Sequence, residues 1–289
     1  MLYFYKNKLF SIPAVLVCPG GAYLNCSDRE ADPIALRFAA MGYHAFVLRY
    51  ATFLGKPGIP GPGSEGDPAA RHPGPMRDLA RAMLCLRDHA AAWNLDAERI
   101  AICGFSAGAH NCAMYGTYWN APVLTEFFGR PAADFRPAAS ILGYPLTDYT
   151  TLADGLEGLA KMLFGVANRA FFGVENPNPA QLDEASPARH TGAQTPPTFL
   201  WHTAADNLVP VQQSAAMIAA LAAAGVPFEA HIFESGPHGL STADQASAGD
   251  SSQLDADAAR WLPLVERWLA KRFALEIPAP RPFTPPTKA

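Results

Sequence analysis

The sequence has no CxxC pair, few charges and no apolar run approaching the ~20 residues that cross a bilayer. Its five cysteines (Cys18, Cys26, Cys85, Cys103, Cys112) are an odd number. Cys18 and Cys103 sit inside apolar runs, where a thiol behaves as a small hydrophobe. Reduced, buried thiols are therefore expected, rather than a disulfide framework or a metal site. The opening MLYFYKNKLFSIP has no basic stretch followed by a long apolar one and no small-residue cleavage site. No signal peptide and a cytoplasmic address are expected. Charged residues make up 17% of the chain and the net charge is −4, so there is no basic footprint for nucleic acid or an anionic membrane surface. Neither is expected as a partner.

The chain does have apolar residues, 49% of its 289. That supports one large core, and a single α/β domain over 1–289 is expected. Residues 14–18 (AVLVC) form a short apolar run ending at Pro19-Gly20-Gly21, the pattern of a strand buried on both faces of a parallel sheet. Further strands are expected at 44–50, 99–103, 139–144, 198–203 and 228–234. Helical spacing marks 33–41, 76–93 (stripe Leu79, Met83, Leu86, Ala90), 107–119, 211–224 and about 254–273. Strands alternating with helices predict a mostly parallel sheet flanked by helices. Two stretches break the rhythm. Residues 52–75 are rich in Gly and Pro and read as a long loop; its place after a strand puts it beside the ligand crevice, with a plain flexible insertion as the alternative. Residues 145–197 read as a small cap-like insertion, and the tail about 277–289 is Pro-rich and extended.

The sharpest local signal is Gly104-Phe105-Ser106-Ala107-Gly108, between an expected strand and an expected helix. A turn tight enough to push a hydroxyl out of the sheet crowds the backbone, and flanking glycines relieve the crowding. Ser106 then stands at a helix amino end, where N–H groups favour developing negative charge. A serine needs a base, and on such a fold the acid and then the histidine follow it in the chain. Asp206 follows the strand at 198–203 and His238 the strand at 228–234, so both reach the edge that presents Ser106. His202 lies within or at the end of a strand and reads as packed or structural. His231 falls inside a strand and His110 one turn after the serine. Asp148 and Asp183 lie in the cap region and are weaker candidate acids. Oxyanion donors are expected from Ala107 N–H and from Gly21 and Ala22 in the Pro19–Tyr23 turn. An ordinary Gly-Gly turn is the alternative there.

Four blocks, VLVCPGGAYLNCSDREADPIALRFAAMGYHAFVLRY, GFSAGAH, PPTFLWHTAADNLVPV and FEAHIFESGPHGLS, together resemble the acetyl-xylan esterase-like hydrolases, an esterase/lipase group of the α/β-hydrolase fold related to feruloyl and acetyl xylan esterases. The resemblance spans residues 14–240 and implies the triad Ser106, Asp206 and His238, with Gly21, Ala22 and Ala107 in the oxyanion region. It departs from the pattern at Ala109, where relatives usually carry glycine, at Pro19, and in the long 52–75 stretch. Ser27-Asp28-Arg29-Glu30 resembles a family segment and is expected to cap the following helix. The implied reaction is hydrolysis of short-chain esters, foremost O-acetyl groups on sugars or oligosaccharides, without a cofactor. Amide hydrolysis of the kynurenine-formamidase type shares the Gly-Gly turn and triad. A non-catalytic binding protein on the same scaffold is a third reading, which the complete triad opposes. Edge strands of such a sheet can pair two copies, so a homo-oligomer is allowed.

Overall fold

The computed structural model describes residues 2–3, 11–55, 64, 66–152 and 158–275. A seven-stranded sheet runs through it: β1 (Leu2–Tyr3), β2 (Ile12–Cys18), β3 (His44–Val47), β4 (Leu95–Phe105), β5 (Ala139–Gly143), β6 (Thr198–Thr203) and β7 (Phe228–Phe233). Its order is β1-β3-β2-β4-β5-β6-β7. Only β1 is antiparallel to its neighbour; the other six strands are parallel, with registers such as Val15↔Ala101 and Cys103↔Ile141. Eleven helices are seen among the described residues: α1 (Asp32–Ala40), α2 (Gly74–Asp88), α3 (Ala90–Trp93), α4 (Ala107–Tyr118), α5 (Pro122–Phe128), α6 (Tyr149–Leu152), α7 (Gly158–Phe172), α8 (Pro179–Glu184), α9 (Pro187–His190), α10 (Gln212–Ala223) and α11 (Trp261–Ala270).

The continuous apolar runs follow from a sheet covered on both sides. Successive strand side chains point to opposite faces. Leu16, Ile102, Leu142 and Leu200 therefore join one core with Met76, Leu79 and Met83 of α2 and Cys112 of α4. Val15, Val17, Phe105, Ile141 and Trp201 join the other, with Phe38 of α1 and Trp261, Val265 and Trp268 of α11. Trp201 and Trp261 stack at 5.2 Å across that second core.

Several boundaries differ from the sequence reading for local reasons. The helix expected over 76–93 breaks at His89, and α3 ends where Asn94 turns left-handed (φ 53). β4 then starts at Leu95 rather than Arg99, because the register shifts between Ile12 and Ala14 extend the β2 pairing. The helix expected over 254–273 shrinks to α11, preceded by short turns. Pro263 has no N–H to donate and fits a helix only in its first turn, which pins the start at Trp261. All five cysteines are free, but Cys85 is exposed on α2 instead of buried. Of the 52–75 loop, Phe53 and Leu54 dock by donating their N–H groups to Tyr23 and Leu24 carbonyls, whereas 56–63 and 65 lie outside the described residues. The tail at 277–289 lies outside them too, as do 153–157 of the cap-like stretch. No helix among the described residues is long and apolar enough to cross a membrane.

Candidate active site

The carboxyl ends of β2, β4, β6 and β7 converge on one edge of the sheet. Ser106 sits between β4 and α4 with φ 51 and ψ −121, a conformation that strains any residue with a side chain. The strain is held by contact on both sides. A Cβ on Gly104 would lie 2.2 Å from Gly108 O, and one on Gly108 would lie 2.1 Å from Cys18 O. The Ser106 N–H donates to Gly143 O at 3.0 Å, which fixes the elbow to the neighbouring strand.

His238 Nε2 stands 2.8 Å from Ser106 Oγ, and its Nδ1 stands 2.7 Å from Asp206 Oδ2. The three residues named from the sequence thus come together across 132 positions of chain. Asp206 is held from three directions. Its Oδ1 accepts the N–H groups of Leu208 and Val209, each at 2.9 Å, and its Oδ2 also faces His202 Nε2 at 3.0 Å. Burial pushes the Asp206 carboxyl up, but the bonds from His202 and His238 outweigh it and hold the group well below the usual carboxylate range. It is therefore an acceptor for His238 Nδ1–H throughout the neutral range.

His202 was legible only as a packed residue, and packed it is, fully buried. It also supplies a second donor to Asp206, while Ser214 Oγ contacts its Nδ1 at 2.7 Å. The competing residues lie elsewhere. Asp148 accepts the Thr150 N–H and hydroxyl, Asp183 pairs with Arg189, and His231 contacts Glu229.

The turn after β2 carries three successive positive φ values: Gly21 at 124, Ala22 at 55 and Tyr23 at 59. Leu24 and Asn25 N–H groups close it on Gly21 O at 2.9 and 3.3 Å. Gly20 N–H is taken by Glu30 Oε2 at 2.9 Å. Tyr23 ties this turn to the nucleophile helix. Its hydroxyl lies 2.6 Å from His110 Nδ1, and His110 Nε2 lies 2.8 Å from Ala185 O. A carbonyl can only accept, so Nε2 carries the proton and Nδ1 accepts from Tyr23. Burial pushes the His110 imidazole down to about 4, against the raising effect of the Ala185 bond.

The segment expected to cap α1 does something else. Ser27 makes no side-chain cap bond. Arg29 instead reaches the carbonyls of Gly239 (3.0 Å) and Ser247 (2.5 Å), and Glu30 is buried beneath the turn after β2. Its partners lie across the sheet edge, so the local pattern of a helix start was misleading there.

Two cavities flank the Ser106–His238 pair. One, of about 410 Å³ and partly open to solvent, is mainly apolar and is lined by Ala22, Ser106, Ala107, Tyr149 and Phe164 among others. The second, about 1000 Å³ and more open, runs past His238 to Asn207, Ser252 and Gln253. Leu163 and Leu208 border both. Among the described residues, no group of three His, Cys, Asp or Glu side chains could hold a metal ion.

Comparison with known proteins agrees with the resemblance read from the four sequence blocks. The family model described as BD-FAE matches residues 2–221. The chain is 32% identical over 237 residues to endo-1,4-beta-xylanase B of Butyrivibrio fibrisolvens, covering 80% of this chain but 33% of that one. It thus spans about a third of the length of that relative. Among solved structures, an acetyl ester-xyloside bifunctional hydrolase from Caldicellulosiruptor lactoaceticus is 31% identical with a TM-score of 0.73, over 93% of this chain and 86% of that one. MGS-M1, an alpha/beta hydrolase enzyme from a Medee basin deep-sea metagenome library, is 31% identical with a TM-score of 0.68, over 95% and 92% of the two chains.

Proposed function

The chain belongs to the BD-FAE family and has the α/β-hydrolase fold, and from that premise we propose that it is a serine carboxylesterase that removes short acyl groups, foremost O-acetyl groups on sugars or oligosaccharides. The observation that carries this reading is the 2.8 Å approach of His238 Nε2 to an Ser106 Oγ held on a strained elbow. A serine hydroxyl in that position can pass its proton to the imidazole as its oxygen attacks an ester carbonyl. Asp206 Oδ2, 2.7 Å from Nδ1, keeps the ring in the tautomer that leaves Nε2 free to accept, and stabilises the imidazolium. Negative charge then gathers on the carbonyl oxygen, and the N–H groups of Ala107 and of Gly21 or Ala22 are the donors assigned to it. The imidazolium returns the proton to the alcohol oxygen, which leaves. Water, deprotonated by His238, attacks the Ser106 ester and releases the acid.

The two cavities support the choice of substrate. The apolar one touches Ser106 and Ala107, so it suits the acyl group, and Tyr149 and Phe164 are among its walls. The leaving alcohol must receive its proton from His238, and the larger groove beside that residue offers the Asn207 and Gln253 amides to a polyhydroxylated alcohol. We assign the 145–197 stretch as a cap-like insertion, since α7 supplies Leu163, Phe164 and Ala167 to the acyl side. A cytoplasmic address would suit imported oligosaccharides better than polymer.

The first test is hydrolysis of p-nitrophenyl acetate, butyrate and octanoate by wild type and by Ser106→Ala. Activity greatest on acetate and lost in the variant is expected; activity untouched by the variant would refute the assignment. Acetylated xylobiose assayed beside N-formylkynurenine then separates the ester reading from amide hydrolysis of the formamidase type.

A further inference from the structure

Glu30 is 4% exposed and has no part in the triad, yet two bonds aim it at the reaction centre. Its Oε2 accepts the Gly20 N–H at 2.9 Å, at the root of the turn that holds Gly21 and Ala22. Its Oε1 accepts the Tyr144 hydroxyl at 2.5 Å. That hydroxyl in turn accepts the Ser241 N–H at 3.1 Å, three residues beyond His238. The Tyr144 ring meets the His238 ring edge to face, with centroids 5.0 Å apart. Arg29, next in the chain, donates to Gly239 O at 3.0 Å, and Arg29 O accepts the Ser241 hydroxyl at 2.7 Å. Glu30 also stands close to the nucleophile: a Cβ on Gly20 would lie 2.6 Å from Glu30 Oε2 and 3.0 Å from Ser106 Cβ.

We propose that Glu30 is a positioning residue that sets the oxyanion turn and the His238 loop against each other, acting through Gly20 N–H on one side and the Tyr144 hydroxyl on the other. The proposal rests on the Ser106–His238–Asp206 reading above. The choice of residue has a chemical reason. Both groups that converge on it are donors, and a carboxylate is the side chain that only accepts. A glutamine of the same shape has one acceptor and one donor end. If its oxygen keeps Gly20, its NH₂ meets a hydroxyl that already accepts from Ser241 and has lost the acceptor for its own proton. If its oxygen keeps Tyr144, the NH₂ faces Gly20 N–H. The first orientation strands the Tyr144 hydroxyl proton and the second sets two donors together, and either shifts the oxyanion turn or the His238 loop. The binding surfaces of the acyl and alcohol cavities contain neither Glu30 nor Tyr144. The change therefore falls on the chemical step and spares substrate binding.

The experiment compares wild type, Glu30→Gln, Tyr144→Phe, the double variant and Ser106→Ala on p-nitrophenyl acetate. kcat is normalised to the p-nitrophenol burst, so that only competent sites are counted. Glu30→Gln is expected to lower kcat per site by about 10- to 100-fold with KM within about twofold, the scale of a small misplacement of reacting groups. Tyr144→Phe removes one of the two donors, so the double variant is expected to be no slower than Glu30→Gln alone. Should Glu30→Gln not fold, Tyr144→Phe carries the test by itself, with an expected loss of at least about threefold in kcat at unchanged KM. A kcat per site equal to wild type in Glu30→Gln, or in Tyr144→Phe where only that variant folds, would overturn the proposal while an inert Ser106→Ala leaves the triad standing. Full activity in Ser106→Ala would overturn both.

Discussion

Lowering the pH should weaken this fold through His110 before it does so through Asp206. His110 is fully buried and held neutral, with its imidazole pushed down to about 4 from an ordinary value of 6.5. The folded state thus binds this proton more weakly than the unfolded chain does. Between pH 6.5 and 4 the unfolded state holds more protons, so stability is full above that window and falls as the pH drops through it. The difference of roughly 2.5 units at about 1.4 kcal/mol each sets a loss of about 3 kcal/mol by pH 4, much of it already gone near pH 5. Asp206 behaves the other way. Its carboxyl is depressed in the fold, so its contribution persists down to the unfolded carboxylate range and is lost only below about pH 4. The two windows barely overlap. The assay is urea unfolding, followed by tryptophan fluorescence, of wild type and His110→Gln from pH 7 to 4. Glutamine can accept from Tyr23 and donate to Ala185 O but does not titrate. Wild-type stability relative to the variant should fall by about 3 kcal/mol across the series. Parallel curves for the two proteins would refute the assignment of a neutral, singly protonated His110.

Three further outcomes follow from the geometry. Asp206→Asn keeps the shape but not the acceptor pair, and should lower kcat on p-nitrophenyl acetate by about 10⁴-fold while circular dichroism stays unchanged. Gly108→Ala drives a Cβ to 2.1 Å from Cys18 O, and should cost at least about 3 kcal/mol, read as a thermal midpoint lowered by about 6 °C or more, or as loss of soluble protein. Phe164→Ala deepens the proposed acyl cavity, and should raise the butyrate-to-acetate ratio of kcat/KM by about tenfold. An unchanged ratio would move the acyl group elsewhere.

The strands and the elbow were legible because their causes are local. A strand covered on both faces reads as a near-continuous apolar run, and a serine on a strained turn needs glycine close by on each side. The approach of Asp206 and His238 to Ser106 could be foreseen because chain order on a parallel sheet tells which loops share an edge. Residues whose reasons lie far away in the chain were misread or missed. One partner of Glu30 is 114 positions distant and those of Arg29 are 210 and 218, so neither residue leaves a periodicity or a cap pattern to detect. Their position just before α1 instead mimicked an ordinary helix start. His202 gave a partial signal, since it stands four residues before Asp206, but nothing in that spacing distinguishes a donor from a core histidine. The short β1 shows a different limit, as two residues are too few to display alternation.

The close packing of Gly108 against the Cys18 and Pro19 carbonyls has a consequence for how such a catalyst can diversify. The contact between the helix that follows Ser106 and the turn after β2 is main chain lying on main chain. It does not run through the side chains of Leu163, Phe164, Asn207, Leu208 or Gln253, which line the two cavities. Those positions can be exchanged without disturbing that contact. Reactivity and selectivity are therefore inherited separately in this architecture, and a new substrate can be reached by substitution around a centre whose dimensions stay fixed.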